Sequence, residues 1–228
     1  MSRWNTKAGA ILYVWYGGQT GNKAVAEIIS GKVNPSGKLP VTLEKDFMDS
    51  PGYGYVPEGE ELYYDWNEHN EKLHPVFDVA YDEGIFVGYR WYEMKAIKPL
   101  YPFGFGLSYT SFGYSNLKIS DKSFHINESI AVSFTVKNTG SIAGFETAQL
   151  YIRDVEAKLP RPVKELKGFE KIFLNPGESK NITLVLNAMD FSYWDPEKKD
   201  WYAEPGIFTI MVGPSSAQIV LKKDVKML

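Results

Sequence analysis

Acidic and aromatic side chains are concentrated in residues 46–83, a stretch that is also rich in Pro and Gly. Hydrolysis of a glycosidic bond by a carboxylate pair needs two acids about 5–10 Å apart across a cleft of sugar size. Glu61 and Asp65 stand beside Tyr64 and Trp66, and aromatic rings of this kind can stack on a pyranose. A solvated loop packed on a neighbouring domain would have the same composition, so Tyr64 and Trp66 are candidates for substrate binding only.

The histidines do not form a recognisable metal motif. His69 and His74 lie near Glu68 and Glu71, but their order does not match HExxH, in which two histidines one helical turn apart hold zinc. His125 falls at the start of a predicted strand and is interpreted as a surface residue. The sequence therefore predicts no metal site and no cofactor.

Two glycine-containing turns resemble catalytic or nucleotide-binding motifs without matching them. In YGGQTGNKA, the spacing of Gly18, Gly21 and Lys23 fits neither GxxxxGK[ST] nor GxGxxG, which favours a structural turn over a phosphate site. Ser108 lies in GLSY, which lacks the second glycine of a GxSxG elbow. No residue is assigned a catalytic role on these patterns.

Composition excludes several classes of partner and site. The chain has 228 residues, 44% of them hydrophobic, and a formal net charge of −3, so it can bury a core but offers no basic surface for nucleic acid or an anionic membrane. It contains no cysteine, which excludes disulfides and thiolate sites but selects no compartment. No membrane span or targeting signal is visible, and localisation stays open.

The first 93 residues predict an incomplete α/β arrangement. The run 10–16, AILYVWY, is typical of a strand buried on both faces, and 23–31 reads as a helix with Gly31 at its end. Residues 38–44 predict a second strand and 46–83 a long loop. Residues 83–93 predict a strand or a short helix, and the helix is favoured. A parallel sheet needs more such units than these, so its remaining strands are expected from elsewhere.

Within the predicted helix 23–31, Ala24 and Ile28 are expected to face inward, together with Val25. The later turn from Asn34 to Gly37 is expected to be tight.

The sequence beyond Asn116 alternates apolar and polar residues between Asn-Thr-Gly and Asn-Pro-Gly turns. In SIAVSFTV, four apolar residues from Ile130 to Val136 share one face. Seven strands are predicted, at NLKIS, SIAVSFTVKNTG, FETAQLYIRD, VKELKGFEKIFLNPGES, KNITLVLN, GIFTIMVGPSS and AQIVLKK. Short strands at this spacing predict an antiparallel β-sandwich of the immunoglobulin or fibronectin type III kind.

Three ordered blocks of sequence carry a family resemblance: WYGGQTGNKAVAEIISGKVNPSGKLPVTL, YDEGIFVGYRWYE and PLYPFGFGLSYTSF. Together they resemble the C-terminal half of glycoside hydrolase family 3, chiefly its β-glucosidases and β-xylosidases. The resemblance implies that residues 1–111 form the last part of an α/β sandwich domain, with its long loop at 46–83. It also implies that residues 112–228 form a fibronectin type III-like β-sandwich.

The same resemblance implies that the catalytic residues lie outside this sequence. Family members begin with a (β/α)8 barrel that carries an aspartate nucleophile, and the acid/base glutamate precedes the WYGGQ block. Tyr64-Asp65-Trp66 is similar to the Ser-Asp-Trp around that nucleophile, but it follows the WYGGQ and NPSGKLPVT blocks. No barrel strand aims Asp65, so the resemblance implies no catalytic residue here.

Two interpretations of the chain remain open at this point. One is a structural, inactive portion of a retaining β-glycosidase, whose partners are the missing barrel and α/β region or a second chain. Its parent enzyme would act on carbohydrate, in the periplasm or outside the cell. The other is a stand-alone module that binds a glycan or a protein without catalysis.

Within the first interpretation, Gly84, Gly88 and Gly104 are expected to allow close packing between the two regions. Phe105 replaces a His or Tyr frequent in the family at what is expected to be a packing position.

Overall fold

The computed structural model describes residues 2–54 and 81–228. Three helices are present in these ranges: α1 (Gly21–Ile29), α2 (Tyr89–Met94) and α3 (Ala188–Phe191). Ten strands follow α2: β1 (Phe112–Ile119), β2 (Ser123–Phe124), β3 (Ile130–Asn138), β4 (Gly144–Asp154), β5 (Glu165–Leu174), β6 (Ser179–Leu186), β7 (Tyr193–Asp195), β8 (Asp200–Tyr202), β9 (Gly206–Gly213) and β10 (Leu221–Met227). None of the helices built from described residues is long and apolar enough to cross a membrane.

The C-terminal strands form a β-sandwich. One sheet has the order β1-β3-β6 and the other β2-β10-β9-β4-β5, and only the short pair β2–β10 is parallel. Along β3, the residues Ile130, Val132, Phe134 and Val136 are all fully buried, as their alternation predicts. They share one core cluster with apolar residues of β4, β9 and β10. The predicted fold class, a partial α/β segment followed by an antiparallel fibronectin type III-like β-sandwich, is confirmed, although the described part of the α/β segment contributes helices α1 and α2 and no strand.

Several details of the sandwich differ from the sequence prediction. Strand β10 begins at Leu221 rather than at Ala217, because the backbone carbonyl of Gln218 packs directly against Gly213. Strands β2, β7 and β8 were not predicted, since two or three residues carry no alternation to detect. β7 and β8 form a separate two-stranded hairpin.

The apolar run 10–16 is not a strand, contrary to the sequence prediction. Its residues have no regular structure, and every side chain from Ile11 to Tyr16 is exposed. A strand needs a neighbour for its backbone N–H and C=O groups. None of the described residues pairs with this run.

The predicted strand 38–44 is reduced to one isolated bridge between Leu43 and Tyr101. Leu43 N donates a hydrogen bond to Tyr101 O at 2.9 Å, and Tyr101 N donates one to Leu43 O at 3.2 Å. Pro40 has no N–H to donate, and only this short partner segment lies alongside among the described residues. The prediction of a strand was therefore wrong in extent.

Both predicted helices exist with different bounds. Helix α1 starts at Gly21 and is followed by Gly31 in the left-handed conformation, with φ of 75°. Val25 and Ile28 are half-buried, but Ala24 is exposed, contrary to prediction. Helix α2 begins only at Tyr89, well after the start of the predicted segment.

Candidate functional site at the junction of the two regions

Asn34 connects the N-terminal region with the β-sandwich. Its Nδ2 donates a hydrogen bond to Ala143 O at 3.0 Å, just before β4. Its Oδ1 accepts from Ser108 Oγ at 2.9 Å and from Tyr109 N at 2.8 Å. The segment from Asn34 to Gly37 has no turn of its own, because the side chain of Asn34 is committed to these distant partners. The predicted tight turn was therefore wrong.

Gly104 approaches the sandwich closely, as the sequence analysis expected. It has φ of 80°, and a Cβ at this position would overlap the side chain of Gln149. Gln149 Nε2 donates to Gly104 O at 3.3 Å and to Pro214 O at 2.7 Å. Gly84 and Gly88 differ from this expectation, since a Cβ there would meet no described atom within 4 Å. Their φ values of 53° and 55° explain the glycines instead.

An ion pair with a tyrosine crosses the same junction. Lys38 Nζ lies 3.1 Å from Glu146 Oε2, and Tyr114 Oη donates to Glu146 Oε1 at 2.7 Å. Glu146 is only 3% exposed. Burial, followed by the negative charge of Glu146, raises the pKa of Tyr114 far above its ordinary value. Both oxygens of Glu146 are occupied, so this carboxylate has a structural role.

Helix α2 is attached to the sandwich by its first aromatic residue. Tyr89 Oη accepts a hydrogen bond from Leu166 N at 2.9 Å, and its ring packs at 5.1 Å from that of Phe103 and 5.9 Å from that of Tyr151. Trp91 Nε1 donates to Asp49 O at 2.9 Å. The helix thereby joins the turn at Asp49 to β5.

A partly buried ion pair gives α2 a second contact with the sandwich, on the same side of the helix as Tyr89. Glu93 Oε1 pairs with Lys164 Nζ, and Lys164 is 7% exposed. Burial raises the pKa of the Glu93 carboxyl, while the hydrogen bond and charge of Lys164 oppose the shift. Removing either partner would leave a charge without compensation in a poorly solvated place.

Asp154 and Glu165 are two acids that lie close to one arginine, so they are candidates for a catalytic pair. Arg161 lies between them, with Nη1 at 2.9 Å from Asp154 Oδ2 and Nη2 at 2.9 Å from Glu165 Oε2. Arg161 also donates to Phe191 O at 3.2 Å. Burial raises the pKa of Asp154, against the effect of its hydrogen bonds and of Arg161. The guanidinium occupies the space between the two acids, and Arg90 Nη2 provides Glu165 with a second cationic partner at 3.3 Å. This leaves no room for a sugar between the carboxylates, so the cluster has a structural role.

The residues singled out in the sequence are placed as follows. Ser108 donates to Asn34 and has no histidine among its described hydrogen-bond partners. His125 is exposed beside β2, and Phe105 stacks on Tyr101 at 5.4 Å. Within 2–54 and 81–228, no group of three His, Asp or Glu side chains could hold a metal ion. The loop candidates lie outside the described residues: Tyr64, Trp66, Asp65, Glu61, Glu68, His69, Glu71 and His74.

Two family descriptions match the chain in the order in which the structure arranges it. The Glycosyl hydrolase family 3 C-terminal domain matches residues 1–89, and the Fibronectin type III-like domain matches residues 146–216. The chain belongs to glycoside hydrolase family 3. It corresponds to a C-terminal portion of the family's members.

Relatives of known name are similar over almost the whole chain. Thermostable beta-glucosidase B of Acetivibrio thermocellus is 44% identical over 223 residues, which are 98% of this chain and 27% of the relative. Beta-glucosidase BoGH3A of Bacteroides ovatus is 40% identical over 216 residues, 95% of this chain and 27% of the relative. The chain thus spans about a quarter of the length of these family 3 relatives.

Solved family 3 structures have the same fold. Beta-glucosidase 3B from Thermotoga neapolitana, in complex with alpha-D-glucose, gives a TM-score of 0.84 at 36% identity over 99% of this chain and 29% of that one. Beta-glucosidase from Kluyveromyces marxianus gives 0.85 at 38% identity over 98% and 24%. The match extends across both regions and hence across the junction.

Proposed function

We propose that this chain is the C-terminal structural portion of a retaining β-glycosidase of the β-glucosidase type, which hydrolyses terminal β-linked sugars. The observation that carries the proposal is the similarity over at least 95% of this chain to about a quarter of two beta-glucosidases. The remaining three quarters of such an enzyme provide the barrel, the rest of the α/β domain and both catalytic carboxylates. On its own this chain is inactive.

The junction is the part of this chain that serves the complete enzyme. Asn34, Gly104 and the pair Glu93–Lys164 fix the N-terminal region on the β-sandwich. The sandwich has its own continuous core and is therefore a firm support. It holds the end of the α/β domain in place while the upstream portion of that domain completes the sheet.

The exposed run 10–16 supports the need for an upstream partner. Its apolar side chains from Ile11 to Tyr16 face solvent in this chain, and contiguous exposed apolar residues mark surfaces that are covered by another segment or domain. In the proposed enzyme this run becomes a strand once neighbouring strands supply hydrogen-bond partners. The same residues then lie in the interior, as their continuous apolar pattern predicts.

The proposal is tested on the protein extended upstream in its own reading frame. We expect the added sequence to encode a (β/α)8 barrel with an Asp followed by Trp. We also expect the extended protein to cleave p-nitrophenyl β-D-glucoside with retention at the anomeric carbon, observed by NMR of the first product formed. A stop codon directly upstream, or an extended protein without glycosidase activity, would contradict it.

A further inference from the structure

A cavity of about 510 Å³ lies between helix α2, the segment that follows it and strand β10. This volume is within the range of small-molecule sites, about 300–1,000 Å³. Its lining combines rings and prolines with charged and hydroxyl groups. The apolar part includes Tyr89, Tyr92, Ile97, Pro99 and Pro102.

The charged groups on the lining are unbalanced. Lys98, Lys164 and Lys222 line the cavity with a single carboxylate among the described residues, that of Glu93. Lys164 is paired with Glu93, whereas Lys98 and Lys222 are exposed and take part in no ion pair with a described residue. In a protein of net charge −3, this local excess of cations favours a ligand that carries a negative group.

Two lining residues also keep oxygens without a partner in the part of the chain that the structure describes. Thr42 Oγ1 and Glu93 Oε2 are buried and have no hydrogen bond there, a state that is unfavourable for a polar atom. Neighbouring atoms cover both oxygens, so a hydrogen bond to a ligand requires each side chain to rotate toward the cavity. A carboxylate oxygen can only accept, so the group that satisfies Glu93 must be a donor.

We propose that this cavity binds a hydroxylated carboxylate of monosaccharide size, of the hexuronic acid class. The carboxylate of the ligand pairs with Lys222, while Lys98 adds positive charge to the same lining. The hydroxyls of the ligand donate to Glu93 and bond to Thr42. The apolar faces of the sugar ring lie against the tyrosine and proline side chains. The proposal depends on described residues of this chain. It is therefore independent of the proposal that the parent enzyme is a β-glucosidase.

The test is a titration of the ¹⁵N-labelled 228-residue chain with D-glucuronate, followed by ¹H–¹⁵N spectra. We expect saturable shifts at the amides of Tyr92, Glu93 and Ala217, which weaken as salt is added. D-Glucose and inorganic phosphate serve as matched probes, because the first lacks the charge and the second lacks the sugar ring. Each should bind roughly tenfold more weakly than glucuronate, as expected for the loss of one charge-assisted contact or of the ring contacts.

Variants identify the site. Lys222→Ala should weaken glucuronate binding roughly tenfold, whereas Lys223→Ala, the next residue of β10 with an exposed side chain outside the cavity lining, should leave it unchanged. Thr42→Val removes the unpartnered hydroxyl while keeping the shape, and should weaken binding without unfolding the chain. The proposal is overturned by absence of saturable shifts, by equal effects of the two lysine variants, or by phosphate binding as tightly as glucuronate.

Discussion

Asn34 Nδ2 donates a 3.0 Å hydrogen bond to Ala143 O, across 109 positions of sequence. The next residue, Gly144, lies so close that a Cβ there would meet Asn34 Nδ2 at 2.5 Å. One amide side chain therefore positions the N-terminal region directly over the first residue of β4. Since its other end binds Ser108 and Tyr109, three separate segments meet at Asn34.

Asn34→Ala should destabilise the junction by roughly 2–3 kcal/mol, because three hydrogen bonds are lost and Tyr109 N loses its acceptor. Asn34→Asp is the matched comparison: it keeps the accepting Oδ1 but places an oxygen that repels Ala143 O where Nδ2 donated, so it isolates this bond and should also lower the stability. Urea unfolding followed by tryptophan fluorescence measures both variants. Equal stability of Asn34→Ala and the parent chain would show that Asn34 does not hold the junction.

Gly106 and Gly37 face each other, but only one of them should tolerate a methyl group. A Cβ on Gly106 would overlap the backbone carbonyl of Gly37, whereas a Cβ on Gly37 would meet no described atom within 4 Å. Gly106→Ala should therefore cost about 1–3 kcal/mol, because a backbone atom cannot rotate away. Gly37→Ala should change the free energy of unfolding by less than about 0.5 kcal/mol, and similar losses in the two variants would contradict the contact.

The rate of amide hydrogen exchange should differ between residues 10–16 and strand β3. The amides of residues 10–16 have no strand partner in the described chain, so they should exchange at close to the rate of an unfolded peptide. Those of β3, which lies between β1 and β6, should be protected by close to the full free energy of unfolding. Mass spectrometry of peptides from a monomeric sample measures this difference. Equal protection before residue 107 and after residue 112 would be inconsistent with the proposed dependence on an upstream partner.

The β7–β8 hairpin should respond to acid through Asp195. Its carboxylate accepts hydrogen bonds from Glu197 N at 3.0 Å and Lys198 N at 3.2 Å. These bonds, with that from Lys198 N first, hold the pKa of Asp195 below its ordinary value of 3.8. A lowered pKa in the folded state means that the contribution to stability is complete above pH 3.8 and is lost as the pH falls through the folded-state value.

The amide shifts of Glu197 and Lys198 should accordingly titrate together below pH 3.8 in the parent chain. In Asp195→Asn this titration should be absent, since no carboxylate remains at the turn. A midpoint above 3.8 at these amides would contradict the assignment of the hydrogen bonds.

The sandwich was predictable because its signal is local. Alternation along β3 identifies its buried face directly, and Ile130 and Val136 are buried as expected. The irregular structure of run 10–16 was not predicted, because a continuous apolar pattern indicates a buried strand, whereas none of the described residues pairs with this run and its side chains from Ile11 to Tyr16 are exposed.

The junction was only partly visible in the sequence. Gly104 was recognised as a close contact, but Asn34 was interpreted as part of a tight turn, since nothing local connects it with Ala143. The buried pairs Lys164–Glu93 and Arg161–Asp154 were missed for the same reason. The sequence signal for a buried ion pair is a charged residue within an otherwise apolar segment. This signal does not identify the residue with which it pairs.

The most direct measurement of the central claim is the rate of p-nitrophenyl β-D-glucoside hydrolysis by the purified 228-residue chain. The chain is proposed to lack both catalytic carboxylates, so we expect no release of p-nitrophenol above the buffer rate, with Asp65→Asn indistinguishable from the parent. Turnover by the parent chain that is abolished in Asp65→Asn would contradict the account, because it would place a nucleophile within this sequence.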